Sequence, residues 1–111
     1  MTLQEAVQAV LHHTTKEGGF LRKLHRNEVD EVAFDELLNA LKAARAASTG
    51  QLTVDRLLAA CLFELPWEVE NTVDHYKKKS EELGKTVSKM ADTLRDGINE
   101  FLAEGLEHHF S

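Results

Sequence analysis

The chain contains a single cysteine, Cys61, which excludes an internal disulfide and a zinc cluster built from several cysteines. Cys61 lies in the apolar segment LLAACLFEL, where we expect it to act as a small core residue. The sequence has no signal peptide and no run of about 18 apolar residues that could span a membrane. We therefore expect a cytoplasmic protein that does not enter a membrane.

The chain also lacks an excess of positive charge. Lys and Arg number 13 against 19 Asp and Glu, and the net charge is -6. A domain that binds duplex nucleic acid usually has a basic excess, so we expect no nucleic-acid partner. Glycine-rich nucleotide-binding loops and the Gly-x-Ser-x-Gly motif of hydrolases are absent. These absences predict a protein that is not an enzyme and binds no cofactor.

One proline and six glycines in 111 residues leave few turns, and apolar residues make up 42% of the chain. Its length and composition predict one folded domain spanning residues 1–111. Ala, Leu, Glu and Lys dominate and favour helix. We therefore predict an all-α bundle with a short helical turn at 20–26 and four main helices, 3–16, 30–47, 53–65 and 67–107.

Several start and stop residues locate the N-terminal helices. Thr2 and Glu5 form the spacing of a capping box. Gly18 and Gly19 predict the end of the first helix. Either Asn27 or Asp30 is expected to cap the next helix. An amphipathic stripe then follows, made of Phe34, Leu37, Leu38 and Leu41.

A central helix is expected after Thr53. Its inward face is predicted to carry Val54, Leu57, Leu58, Cys61, Leu62 and Leu65. Proline in a helix interior removes a hydrogen bond and clashes with the preceding turn. We therefore predict a break at Pro66 and a corner at Trp67 and Val69, which is a possible partner-binding site.

The C-terminal part, residues 66–108, has a heptad pattern with an apolar stripe and a charged back. As one straight helix it would span about 63 Å, well beyond a compact domain of this size. Its exposed stripe would then pair with a second copy, parallel or antiparallel, through Leu83, Val87, Met90, Leu94, Ile98 and Phe101. A break at Gly84 is the alternative, which would let the last piece fold back into a monomeric bundle.

The six histidines invite a metal-binding interpretation. The chain has neither the Glu-x-x-His pairs of di-iron bundles nor a His-Glu-x-x-His zinc motif. Glu104 and His108 are four residues apart and could share a metal. We therefore expect no metal site, and keep a histidine-using metal- or ligand-binding bundle as the alternative function.

The sequence thus favours a non-enzymatic helical interaction or regulatory protein that acts as a homodimer and binds an unidentified protein partner. The motivating observation is the C-terminal apolar stripe.

Overall fold

A computed structural model describes residues 1–103 and confirms an all-α fold, with no strand in that range. Four long helices and two short ones follow one another along the chain. They are α1 (Leu3–Thr15), α2 (Phe20–His25), α3 (Glu31–Ala47), α4 (Arg56–Glu70), α5 (Val73–Lys79) and α6 (Glu81–Ala103). The predicted ends of the last helix at 107 and 108 lie outside the described residues.

The predicted caps of α1 and α3 are present. Thr2 Oγ1 accepts from the Glu5 N–H, and the Glu5 carboxylate accepts from the Thr2 N–H, both at 3.1 Å. Asp30, rather than Asn27, caps α3 and accepts from the Ala33 N–H at 2.9 Å. Asn27 has a φ of 70° and closes the turn between α2 and α3.

Gly19 ends the turn between α1 and α2 because no larger residue fits there. A Cβ atom at this position would lie 2.1 Å from the carbonyl oxygen of His12. The chain therefore reverses tightly enough for Phe20 and Leu24 on α2 to enter the core, where both are at most 1% exposed.

The predicted break at Pro66 is wrong, because α4 continues through it to Glu70. A proline inside a helix costs about 3 kcal/mol. The continuous helix keeps Leu58, Leu62, Leu65 and Val69 on one buried face, each at most 2% exposed. Burying one such side chain contributes about 1.5–3 kcal/mol, so the four together outweigh the proline. The start at Thr53 is also wrong, since Asp55 caps α4 and accepts from the Leu58 N–H at 2.9 Å.

The C-terminal part is neither one straight helix nor a helix broken at Gly84. It reverses at Ser80, which has an extended backbone with φ -161° and ψ 130°. The Ser80 N–H donates to the Tyr76 carbonyl at 3.0 Å, and its hydroxyl accepts from the Leu83 N–H at 3.3 Å. Ser80 is thus the C-cap of α5, and its side chain also caps the first turn of α6.

Gly84 lies inside α6 and allows α5 to pack closely on it. A Cβ atom at Gly84 would lie 2.9 Å from both Cα and Cβ of Lys77. Gly84 thus lets another helix approach closely, and that helix, α5, belongs to the same chain.

Helix α6 forms the centre of the bundle and contacts α3, α4 and α5, while α1 packs on α3. The radius of gyration is 14.4 Å and the principal extents are 45 × 29 × 20 Å. The helix of about 63 Å expected from the heptad pattern does not form. None of the helices within residues 1–103 is long and apolar enough to cross a membrane.

We predict opposite effects of alanine at the two glycines of α6. Gly84→Ala should lower the free energy of unfolding by about 1–3 kcal/mol, because the new methyl group meets the α5 backbone. Gly97→Ala should raise it by up to about 1 kcal/mol, since a Cβ there has nothing within 4 Å and alanine favours helix. Urea unfolding of both variants measures the two changes, and equal effects would contradict the close approach at Gly84.

Candidate interaction surface

The outward face of α4 carries large apolar side chains in contact with solvent. Phe63 is 72% exposed and Trp67 is 59% exposed. Both lie on the side of the helix opposite the core, four residues apart, so their rings are neighbours along one face. Large exposed aromatic side chains grouped in this way are typical of binding surfaces.

Helix α4 has two rows of residues at helical spacing on opposite sides, one apolar throughout and one apolar in its middle. The inner row is Leu58, Leu62, Leu65 and Val69, which all belong to the core. The outer row repeats at the same alternating spacing of four and three, and all its members are exposed. It consists of Arg56, Ala60, Phe63, Trp67 and Glu70, and we call it the outer row of α4.

Further apolar residues adjoin the N-terminal end of this row. Leu57 is 60% exposed and Leu52 is 76% exposed. Val54, just before α4, is 42% exposed. The prediction that Val54 and Leu57 face inward is therefore wrong, because the helix begins later than Thr53 and turns them outward. Cys61 is a free, partly buried cysteine on the flank of α4 and does not belong to the buried core.

The two ends of the outer row carry opposite charges. Arg56 lies at the first turn of α4 and is exposed. Glu70 lies at the last turn, and its carboxylate is 2.9 Å from the Arg95 guanidinium of α6. Glu68, beside the row, is 3.3 Å from the His25 ring of α2. An apolar centre is thus flanked by a basic end and an acidic end.

The residues predicted for self-association contact the chain's own helices instead. The reversal at Ser80 turns the stripe inward, and Val87, Met90, Leu94, Ile98 and Phe101 are at most 5% exposed. Leu83 is partly buried against the same core. The two residues of the predicted corner do not share a surface, because Val69 is fully buried and only Trp67 faces solvent.

Sequence reasoning missed Phe63 and Ala60 as surface residues. A break at Pro66 would place Phe63 and Trp67 on different helices, where their four-residue spacing has no meaning. The available signal was the composition of residues 56–70, which are apolar on more than one face. A helix that is apolar all round is buried on both sides or has a binding face.

The described histidines have structural contacts. His13 is 5% exposed, and its Nδ1 accepts from the Phe20 N–H at 3.3 Å while its Nε2 lies 3.2 Å from the Glu36 carboxylate. His75 contacts the side chain of Asn27. Within residues 1–103 no three His, Cys, Asp or Glu side chains come together as metal ligands. Glu104, His108 and His109 lie outside the described residues.

An open groove of about 430 Å³ separates part of α3 from α6. Lys42, Asp96 and Gly97 line it, and the Arg45 guanidinium lies 3.2 Å from the Glu100 carboxylate across it. Its described lining includes no histidine, cysteine or serine.

Comparison of the chain with protein-family models, with curated proteins and with solved structures finds no match.

We predict that His13 makes stability depend on pH. Burial, followed by neighbouring His12, lowers the pKa of His13 below its ordinary value of 6.5, against the opposing effects of Glu36 and Asp30. In the unfolded chain His13 takes up a proton near pH 6.5, whereas in the folded chain it does so only at lower pH. The free energy of unfolding should therefore fall as the pH drops through 6.5 and level off below the folded pKa.

The matched control for this prediction is His13→Asn, whose side-chain oxygen can still accept from the Phe20 N–H but does not titrate. Urea unfolding between about pH 7.5 and 5 should show a steeper loss of stability for the natural chain than for the variant. Contributions from the other histidines are common to both chains. Identical pH dependence in the two would contradict a titrating His13.

Proposed function

We propose that this protein is a non-enzymatic helical interaction protein that acts as a homo-oligomer through the outer row of α4. The observation that carries the proposal is the exposure of Phe63 and Trp67 at 72% and 59% on a helix whose other face is fully buried. Exposing two aromatic side chains to water costs free energy that a partner surface would recover.

The surroundings of the outer row support an interface over a catalytic site. The row is convex because it lies on the outside of one helix, whereas small-molecule sites are concave and enclose most of the ligand. The concave feature between α3 and α6 is open and lined by a paired Arg45 and Glu100. The free thiol of Cys61 and the acidic net charge of -6 fit action in the cytoplasm, on a protein surface rather than on nucleic acid.

We predict that replacing Phe63 weakens self-association, whereas replacing an exposed apolar residue elsewhere on the surface does not. Phe63→Ser removes a largely exposed ring from the outer row, while Val32→Ser removes a side chain that is 69% exposed on α3. Because neither is a core residue, both variants should keep the stability of the natural chain. Sedimentation velocity should show that only Phe63→Ser shifts the population from about 25 kDa, twice the 12.5 kDa chain mass, to monomer.

Two outcomes would count against this function. A natural chain that stays at 12.5 kDa up to millimolar concentration would show that it does not self-associate. A dimer weakened equally by both substitutions would place the interface outside the outer row of α4.

A further inference from the structure

We infer that two copies of the chain pair antiparallel along α4, with Arg56 of each copy facing Glu70 of the other. This inference rests on the proposed self-association and specifies its geometry. The starting observation is that the outer row of α4 has the order basic, apolar, apolar, apolar, acidic over residues 56–70.

Charge decides the direction of the pairing. In a parallel pair, Arg56 would lie beside the partner's Arg56 and Glu70 beside the partner's Glu70, which is repulsive at both ends. In an antiparallel pair centred near Phe63, each Arg56 comes within about one helical turn of the partner's Glu70, because Phe63 is the midpoint of residues 56–70. Two attractive contacts form by symmetry.

Shape supports the same arrangement. Ala60 lies about one turn before the midpoint of the row, and Trp67 lies about one turn after it. Antiparallel pairing sets the partner's Trp67 near Ala60, so a large side chain meets a small one and the helix backbones can approach. Parallel pairing would oppose two Trp67 rings and leave a gap between two alanines.

The available area suits a second copy bound with moderate affinity. A wholly covered aromatic side chain buries about 150–250 Å². Two Phe63 and two Trp67 side chains, together with the flanking Leu57 and Ala60, amount to a total buried area on the order of 1,000 Å². This is near the lower limit of a specific interface, so we expect a transient dimer rather than an obligate one.

The Glu70 side chain, at the acidic end of the outer row, is oriented by an ion pair within its own chain. The Arg95 guanidinium lies 2.9 Å from the Glu70 carboxylate, and its other nitrogen lies 3.2 Å from Asp92. The Glu70 side chain nevertheless remains half exposed. A carboxylate has acceptor positions for more than one guanidinium, so Arg95 and the partner's Arg56 can both bind it.

The test uses two charge reversals, Arg56→Glu and Glu70→Lys, each alone and then mixed. Alone, each variant sets like charges against each other at both ends, and its homodimer should weaken about tenfold or more. Mixed in equal amounts, the two variants restore an opposite-charge pair at both ends and should form a heterodimer of nearly natural affinity. Labelling one variant with a fluorophore and measuring anisotropy against the other gives that affinity.

Three controls separate the possible outcomes. Far-ultraviolet circular dichroism checks that each variant is folded, and Arg95 keeps Asp92 as a partner when Glu70 is replaced. A third variant, Glu64→Lys, reverses a charge on α4 outside the outer row and should change dimer affinity less than either end variant. Mixing Arg56→Glu with itself gives the baseline for the heterodimer.

The inference and the function on which it rests fail in different ways. If the natural chain dimerises and Phe63→Ser abolishes the dimer, but Arg56→Glu and Glu70→Lys alone leave dimer affinity unchanged, antiparallel pairing is overturned and the interface at α4 stands, because a parallel pair sets like charges together at both ends before and after each reversal. If the natural chain never dimerises, both are overturned and the outer row is left to a different protein.

Discussion

The reversal of the chain at Ser80 determines which apolar surface the protein buries and which it leaves exposed. One residue with extended backbone turns α5 back along α6, and Gly84 lets the two helices lie close enough to pack. The buried Tyr76 of α5 then donates its hydroxyl hydrogen bond to the backbone carbonyl of Leu24 in α2. The C-terminal part is thereby joined to the N-terminal half.

That reversal brings the apolar stripe of α6 into the core of the chain. Without it, Val87, Leu94 and Ile98 would need a second copy to cover them; with it, they are covered by α3, α4 and α5. Helix α4 then packs on α6 with one face only. Its opposite face, with Phe63 and Trp67, is left in contact with solvent.

The sequence predicted the local features well where one residue decides the outcome. The capping box at Thr2 and the turn at Gly19 follow from short-range chemistry and were predicted from it. The cap at Asp30 was one of two residues that the sequence offered, beside Asn27. The all-α fold likewise followed from composition and apolar periodicity.

The errors arose where tertiary packing outweighs local preference. Pro66 lies within a helix because four buried side chains of α4 compensate for its cost. The sequence signal for a new helix at Ser80 is weak, because it consists only of a serine followed by two acidic residues. The heptad pattern continues across this position and therefore predicts an unbroken helix. The outer row of α4 exists only because the helix continues through Pro66, so a predicted break there conceals it. This explains why the predicted interface and the observed exposed surface lie on different helices.

The most direct test of a binding face on α4 is the fluorescence of Trp67, which is the only tryptophan in the chain. Its emission should be recorded on the natural chain from about 0.1 μM to 1 mM, with light scattering on the same samples. If the outer row pairs with a second copy, the emission maximum should shift to shorter wavelength as the scattered mass doubles, because the indole leaves water. A mass that doubles while the emission stays that of a solvated indole would contradict the account, since another surface would then be paired.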